Sequence, residues 1–242
     1  MIIKVIKTDV FQEGGDLFKF ICGYVSRLND KSVLVVTSKI VALAEGRVVE
    51  PEHVGTKEEL IRKESEIAIP TKHVWLTVKD GMVMASAGID ESNANGKYIL
   101  LPKNSFKSAR ILRHQLRKKY RVKNLGILIT DSRTIPLRAG VTGVALGYAG
   151  FRGVRDYRGT KDIFGRKFKF SRTNVADSLA TAAVFVMGEG NEQCPLAIIK
   201  EVPVQFCERI NRRELSISIE DDMYRPIFEK ISSKKKTLTG GR

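Results

Sequence analysis

The sequence has few of the residues that nitrogen or sulfur chemistry requires. Its three cysteines show no CxxC or zinc-type spacing, and its three histidines are scattered. This excludes a disulfide-stabilised secreted scaffold and favours a reducing cytoplasm. No apolar run approaches the roughly 20 residues that a membrane-spanning helix needs. The first ten residues are interrupted by charges, so a signal peptide and a membrane partner are not expected.

Sequence motifs for common nucleotide and hydrolase sites are also missing. There is no GxxxxGK(S/T) sequence, which excludes a P-loop. No GxGxxG stands directly between a strand and a helix, as a dinucleotide fold requires. A G-x-S-x-G nucleophile elbow is absent as well. An enzyme built on this sequence must therefore use a different kind of site.

Positive charge is in excess, with 42 lysines and arginines against 27 acidic residues and a formal net charge of +15. Part of it lies in residues 103–123, where apolar residues recur at three-to-four-residue spacing and predict an amphipathic helix with a basic outer face. Such a face is typically solvated, but it also attracts polyanions such as nucleotides or nucleic acid. No recognised nucleic-acid module is visible, so a nucleic-acid partner is the second hypothesis rather than the first.

Apolar patterning predicts a mixed α/β (α+β) domain over residues 1–202. Thr56 and Glu59 form a capping-box signature that opens a helix running to residue 67, and Asp80-Gly81 predicts a hairpin turn. Further helices are predicted at 16–28 and 174–187, and strands at 1–7, 32–37, 74–78, 82–86, 97–101, 127–130 and 196–199. Residues 203–242 form a basic C-terminal extension, disordered from residue 232, in which residues 216–219 are compatible with an added strand.

Four polar clusters interrupt the apolar segments, each at a strand or helix end. They are residues 37–39, 90–93, 131–132 and 188–192. Asp131 and Ser132 follow a buried strand directly, where open α/β sheets place ligands, although both residues also favour turns and helix caps. Carboxylate, hydroxyl and amide oxygens are the donors that Mg²⁺ or Mn²⁺ prefers. With a basic protein, these clusters favour metal-assisted chemistry on a phosphate-bearing substrate.

Six segments, in order along the chain, resemble the coenzyme F420:L-glutamate ligase (F420-0:γ-glutamyl ligase) family. They are VVTSKIVALAEGRVV, ASAGIDESNANG, ILITDSRTIPLRAGVTGVALGYAG, RDYRGTKDIFGR, NVADSLATAAVFVMGEGNEQCP and the strand that closes the domain. The resemblance implies a γ-glutamyl ligase-like fold without a P-loop and an intertwined homodimer. It also implies a GTP- or ATP-dependent reaction with Mg²⁺ or Mn²⁺, and in some members K⁺, that joins L-glutamate to a carboxylate.

The resemblance further implies roles for particular residues. Metal ligands would be Asp90, Asp131, Ser132 and Glu189. Nucleotide contacts would come from Val10, Phe11, Gln12, Glu13, Ser38, Lys39, Asn93, Gly188, Gly190 and Asn191. Asp131, Arg138 and Arg155 are the candidate catalytic residues, the two arginines as partners of an acidic substrate or of the leaving phosphate.

Two positions depart from the family pattern. Leu43 replaces a lysine that contacts nucleotide, with Lys39 as a candidate substitute. The family's Gly-Arg after Asp-Ser/Thr reads Thr134-Ile135 here, with Arg133 displaced by one position. These departures leave open the choice between GTP and ATP and the acceptor, which is F420-0 or, in a divergent branch, a folate. The number of glutamates added and the role of residues 203–242 are also left open.

Overall fold

The structure is a computed structural model that describes residues 1–229. The first part of the chain forms β1 (Ile2–Ile6), α1 (Leu17–Tyr24), β2 (Ser32–Thr37), α2 (Ser38–Ala44), β3 (Val48–Val49), α3 (Lys57–Lys63), β4 (Ile67–Pro70), β5 (Trp75–Lys79), β6 (Met82–Ala85), β7 (Tyr98–Ile99) and α4 (Ser105–Tyr120). The second part forms β8 (Leu125–Thr134), β9 (Val141–Ala149), β10 (Val154–Asp156), β11 (Arg172–Asn174), α5 (Val175–Met187) and β12 (Leu196–Lys200).

A five-stranded mixed sheet with the order β1-β12-β2-β8-β9 carries the core. β2 and β8 pair in parallel, and the remaining neighbours pair antiparallel. Side chains alternate between the two faces of each strand. Leu34 and Ile127 pack on one face with Ile21 of α1 and Leu112 of α4, while α5 covers the other face. This explains why β2 and β8 read as unbroken apolar runs, which is typical of strands buried on both faces.

A β-bulge interrupts the pairing of β8 with β9. Ile129 faces Gly147 and the next residue, Thr130, faces Ala145, so Leu146 has no cross-strand partner. An extra residue of this kind reverses which side chains face which side of the sheet. Consequently two glycines of β9 lie against helices on opposite faces of the sheet: Gly143 against α5 and Gly147 against α4.

A three-stranded antiparallel sheet, β4-β5-β6, forms a smaller layer with its own apolar cluster around Leu60, Ile61 and Leu100. Glu64, at the C-terminal end of α3, accepts from Arg47 at 2.8 Å and from Lys79 of β5. The side chains of these three residues are all less than one-fifth exposed. This buried ion cluster joins α3 to the small sheet.

Most predicted elements are confirmed, including the Thr56–Glu59 capping box, the Asn174 cap of α5 and the Asp80-Gly81 turn. Some predicted bounds are wrong. The helix predicted over residues 16–28 ends at Tyr24, and the strand predicted over residues 97–101 covers only Tyr98–Ile99. The helix from Thr56 ends at Lys63 rather than at residue 67, because Ile67–Pro70 pairs with β5 as a strand. β8 does not end before Asp131, since it continues to Thr134.

The chain divides into two compact units, Met1–Arg212 and the residues from Arg213 onward. Within the first, residues 205–207 run back along residues 150–152, where Arg152 N–H donates to the Gln205 carbonyl at 2.9 Å. In the second, residues 216–218 are irregular rather than a strand, and a 3₁₀ turn follows at Ile219–Asp221. The expected disorder from residue 232 lies outside the described residues, and the domain boundary after residue 202 remains a prediction.

Gly147 should tolerate no side chain. A Cβ there would lie 2.5 Å from the backbone carbon of Ser105 in α4. We expect Gly147→Ala to lower the free energy of unfolding by about 1–3 kcal/mol through overpacking. Gly23→Ala is the matched control, because an added Cβ meets nothing within 4 Å in α1 and should be neutral or stabilising. Urea unfolding measures both, and equal effects at the two positions would contradict the close approach.

Glu64 should make stability depend on pH. Burial alone would raise the pKa of its carboxyl, but the hydrogen bonds and charges of Lys79 and Arg47 outweigh burial and hold the pKa below its usual value. A depressed carboxyl pKa contributes stability above the unfolded value, about 4.3, and the contribution is lost as pH falls through the folded value. We expect Glu64→Gln to cost about 3 kcal/mol at pH 7.

The difference in stability between this variant and the parent protein should narrow as pH falls below about 4.3 and through the lowered folded-state pKa, because Glu64 is protonated in both the folded and the unfolded state only below that pKa. Chemical unfolding at pH 7 and pH 3 checks it. Glu58→Gln, an exposed carboxylate-to-amide change on α3, serves as the control and should show no such difference. A cost for Glu64→Gln that is constant across this range would exclude the ion cluster as its cause.

Candidate active site

β8 is longer than its parallel neighbour β2, and the candidate site lies where the two part. The last paired residues are Thr37 and Thr130, while β8 runs on through Asp131 and Ser132. Both residues therefore lie inside a strand, paired with β9, so the turn-cap interpretation of Asp131 is wrong. Strand alternation sends their side chains to opposite faces. Beyond Thr130, the edge of β8 that no longer pairs with β2 is open to side chains from both faces of the sheet.

Asp131 lies between a serine and an arginine. The Ser38 hydroxyl donates to Asp131 Oδ1 at 3.2 Å, and the Arg133 guanidinium forms an ion pair with Oδ2. Arg133 also donates to the Ser132 carbonyl at 3.0 Å and contacts Met84 Sδ at 3.5 Å. Its side chain is only 10% exposed. Burial lowers the pKa of Arg133 to about 10, so it remains a cation at pH 7.

Lys39, the residue after Ser38, connects the second carboxylate. Its ammonium group lies 2.8 Å from Asp90 Oδ2 and donates to the Ser92 carbonyl at 2.8 Å. Asp90 Oδ1 accepts from the backbone N–H and the hydroxyl of Ser92, both at 2.7 Å. Burial would raise the pKa of Asp90, but the bonds from Lys39 and Ser92 outweigh it and hold the pKa below its usual range. Two consecutive residues at the start of α2 thus bring Asp131 and Asp90 to one place.

Asp90 follows a tight turn with an uncommon backbone. Ser86, Ala87 and Gly88 all have positive φ values (47°, 56° and 70°). For residues other than glycine this conformation is strained and persists only where the surroundings impose it. Thr77 provides part of that constraint, because its buried hydroxyl accepts from Ala87 N–H at 2.8 Å and donates to the Met84 carbonyl at 2.7 Å.

The loop after α5 supplies the remaining acidic group. The Ser132 hydroxyl donates to Glu189 Oε1 at 2.5 Å on the α5 side of the sheet. The Asn93 amide donates to the Gly190 carbonyl at 3.3 Å, which connects this loop to the Asp90 segment. Gly190 N–H in turn donates to Glu192 Oε2 at 2.8 Å. The structure therefore brings all four predicted polar clusters together.

The residue 10–13 turn, expected to contact nucleotide, borders the same region. Just before it, Thr8 N–H donates to the Gln193 carbonyl at 2.9 Å, and just after it Gly14 N–H donates to the Leu43 carbonyl at 3.0 Å. Glu13 forms an ion pair with Lys97 at 2.9 Å. The turn is thus fixed between the loop after α5 and the end of α2.

Leu43, which stands in place of the family's lysine, is partly buried in an apolar cluster with Ala42, Ala94 and Ile99. A hydrophobic contact has taken the place where the resemblance expects a cation. Lys39 is the cation that remains close by, and its ammonium group is directed to Asp90 and Ser92.

The donor set suits a hard divalent cation, because carboxylate and hydroxyl oxygens from Asp90, Asp131, Ser132 and Glu189 are available on adjoining segments. As the side chains stand, no group of three or more acidic, histidine or cysteine residues within residues 1–229 is gathered closely enough to hold a metal. Each aspartate is engaged by a cation of the protein, Lys39 or Arg133. The chemistry of the ligands fits, while their negative charge is neutralised internally.

The two arginines predicted as catalytic have hydrogen-bond partners outside the four polar clusters. Arg138 is exposed in the loop between β8 and β9, where its backbone N–H donates to Ile135. Arg155, on β10, donates to the Pro203 carbonyl. Their catalytic roles stay predictions. Arg133, which the sequence marked only as a displaced residue, contacts one of these clusters through Asp131, and its spacing of two from Asp131 on a strand is the signal that predicts a shared face.

A cavity of about 470 Å³ opens beside Glu189, between β9 and α5. Thr142, Ser178 and Thr181 provide hydroxyl groups along it, and Val141 and Phe185 provide apolar surface. Phe185 is 85% exposed. The cavity therefore offers an amphipathic space next to the acidic end of the site.

Other features expected of the basic helix are partly corrected. α4 forms as predicted over Ser105–Tyr120, but Arg113 does not lie on a solvated face. It is buried, donates to the Leu125 carbonyl at 2.7 Å and pairs with Glu208 at 3.0 Å, where Arg117 also binds.

Among residues 1–229, every helix is too short or too polar to span a bilayer.

Comparison with known proteins agrees with the resemblance in the sequence. The profile of the F420-0:gamma-glutamyl ligase family matches residues 5–201. A coenzyme F420:L-glutamate ligase of Methanococcus maripaludis (strain C7) is 34% identical over 216 residues, covering 82% of this chain and 86% of the relative.

Two further relatives of the same description cover similar lengths. The coenzyme F420:L-glutamate ligase of Methanocaldococcus jannaschii is 33% identical over 218 residues, 88% of this chain and 86% of the relative. That of Methanosarcina acetivorans is 31% identical over 242 residues, 93% of this chain and 91% of the relative. With its mixed α/β fold and its collinear polar clusters, the chain belongs to the F420-0:gamma-glutamyl ligase family.

Proposed function

We propose that the protein is an NTP- and divalent-metal-dependent γ-glutamyl ligase that joins L-glutamate to a carboxylate acceptor through an acyl phosphate. The observation that carries the proposal is that Lys39, Ser38 and Ser132, on adjoining segments, contact the carboxylates of Asp90, Asp131 and Glu189 respectively. Oxygen donors of this kind suit Mg²⁺ or Mn²⁺, and the flanking cations suit the phosphates of a nucleotide.

The chemistry requires activation because a free carboxylate does not form an amide. The acceptor carboxylate oxygen takes the terminal phosphoryl group of the NTP, and the nucleoside diphosphate leaves. The glutamate amine then attacks the acyl carbon, phosphate departs with the C–O electron pair, and the amine loses a proton. Phosphoryl transfer depends chiefly on positioning and on neutralising charge. A divalent cation, when bound, supplies part of that neutralisation.

The residues of the chain would divide these tasks. Asp90, Asp131, Ser132 and Glu189 would hold the metal. Lys39 is directed into the site and would neutralise phosphate charge once Asp90 binds metal. Ser38, Asn93, the residue 10–13 turn and the backbone of residues 188–191 surround the region where the nucleotide would lie.

The acceptor would approach from the cavity beside Glu189, whose hydroxyl and apolar lining suits a molecule with both polar and ring portions. F420-0, the acceptor in the family's description, is the first candidate, and a folate is the alternative. The intertwined homodimer, a K⁺ requirement and the choice between GTP and ATP remain predictions of the resemblance.

A direct assay tests the ligase reaction. The protein would be incubated with L-glutamate, Mg²⁺ or Mn²⁺, either GTP or ATP, and either F420-0 or folate. We expect one acceptor to gain the mass of one or more glutamates, with NTP hydrolysis that depends on the acceptor. Mass spectrometry and phosphate release are the measurements. Neither a product nor acceptor-dependent hydrolysis under any combination would overturn the proposed reaction.

Loss of a ligand carboxylate should weaken metal binding. We expect Glu189→Gln to weaken Mn²⁺ binding about 10–100-fold with little loss of stability, because this residue is exposed. Asp131→Asn should weaken it similarly and also destabilise the protein, because the buried Arg133 loses its ionised partner. Calorimetric titration and urea unfolding provide the two readouts.

Glu58→Gln again serves as the matched control, since it changes an exposed carboxylate to an amide on α3. It should leave both metal affinity and stability unchanged. Unaltered Mn²⁺ binding in Glu189→Gln and Asp131→Asn would remove these residues from the proposed metal site.

A further inference from the structure

Arg133 is the most deeply buried charged group in contact with a proposed metal ligand. Its side chain is 10% exposed, and its guanidinium is paired with Asp131, the Ser132 carbonyl and Met84 Sδ. Its Nε atom is buried and has no hydrogen-bond partner within residues 1–229. A buried cation is stable only with a counter-charge, and Asp131 supplies it here.

The same carboxylate is the ligand that the proposed function assigns to a divalent metal. A metal on Asp131 would place a second positive charge beside the guanidinium. It would also withdraw carboxylate charge from a cation that already has an unsatisfied N–H group. A guanidinium keeps its charge in proteins, so the two positive charges would lie side by side.

The residues around Arg133 limit how far its guanidinium can move away from Asp131. Met84 belongs to the main apolar core, so the contacts beyond the guanidinium are apolar on that side. Strand alternation keeps Arg133 on the same face of β8 as Asp131. A metal on Asp131 would therefore share one face of β8 with this guanidinium.

From this geometry we infer that Arg133 is an internal competitor of the divalent cation, a positioning residue that holds Asp131 in the metal-free protein and sets the metal affinity by opposing the second charge. The inference rests on the proposed function, since it takes Asp131 as a metal ligand. It assigns to Arg133 a task distinct from contact with substrate.

Charge removal tests it with Mn²⁺ alone as the probe. We expect Arg133→Met to tighten Mn²⁺ binding by at least about tenfold, since the opposing charge is gone. The metal-free variant should be less stable than the parent protein, and Mn²⁺ should restore more of its stability. Arg133→Lys keeps the charge and should bind Mn²⁺ within about threefold of the parent protein. Calorimetric titration and thermal unfolding with and without Mn²⁺ are the measurements.

Arg113→Met is the control for loss of a buried arginine. Arg113 is as deeply buried and pairs with Glu208, away from the four polar clusters. Its replacement should lower stability and leave Mn²⁺ affinity unchanged. An equal gain of affinity in Arg113→Met would show a general charge effect and overturn the assignment to Arg133.

The outcomes separate this inference from the proposed function. If the parent protein binds Mn²⁺ and Arg133→Met binds it equally or more weakly, the inference fails and the metal site stands. If only Arg133→Met binds Mn²⁺, the inference holds and the metal-dependent mechanism of the parent protein fails. If neither binds, both fail. A variant that stays unfolded with and without Mn²⁺ also overturns the inference, because Arg133 would then be a purely structural residue.

Discussion

The unequal lengths of two parallel strands determine the arrangement of the site. β2 pairs with β8 only as far as Thr37 and Thr130, after which the chain of β2 turns into α2. From that point β2 no longer pairs with that flank of β8, and the start of α2 lies beside it instead. Ser38 and Lys39 therefore reach two carboxylates that are distant in sequence. The polar clusters from both faces of the sheet can meet only because β2 ends first.

The elements that local physics controls were predictable from the sequence. Buried strands such as β2 follow from short apolar runs, and the capped starts of α3 and α5 follow from side chains that satisfy free backbone N–H groups. The error after Lys63 has a clear cause. Ile67 fits the helical period of Leu60, Ile61 and Glu64 locally, but residues 67–70 pair with β5, and this nonlocal contact determines their structure.

The site was predictable as a set of segments but not as a set of contacts. The resemblance and the oxygen chemistry together named Asp90, Asp131 and Glu189. The direction of Lys39 and the burial of Arg133 depend on packing against the Asp90 turn and Met84, which no local pattern contains. The same limit explains why Arg155, attractive as a cation near a polar segment, instead binds the Pro203 carbonyl.

The ion pairs that Lys39 and Arg133 form with Asp90 and Asp131 neutralise the charge of both aspartates within the protein. Lys39 and Arg133 place a cation beside each of two aspartates near an apolar core before any ligand arrives. Like charges at close range would otherwise destabilise the fold or favour protonated carboxyls. A site arranged in this way is stable in the absence of ligand, at the expense of opposing any cation that enters it.

The β-bulge at Leu146 has a consequence for how relatives of this chain can differ in length. The extra residue reverses the facing of β9 between Gly143 and Gly147, so each glycine lies against a different helix. Deleting one residue between them would turn a bulky neighbour toward α4 or α5. Within the β8–β9 hairpin, insertions and deletions should therefore fall in the exposed loop of residues 135–140, and the number of residues between the two glycines should stay constant.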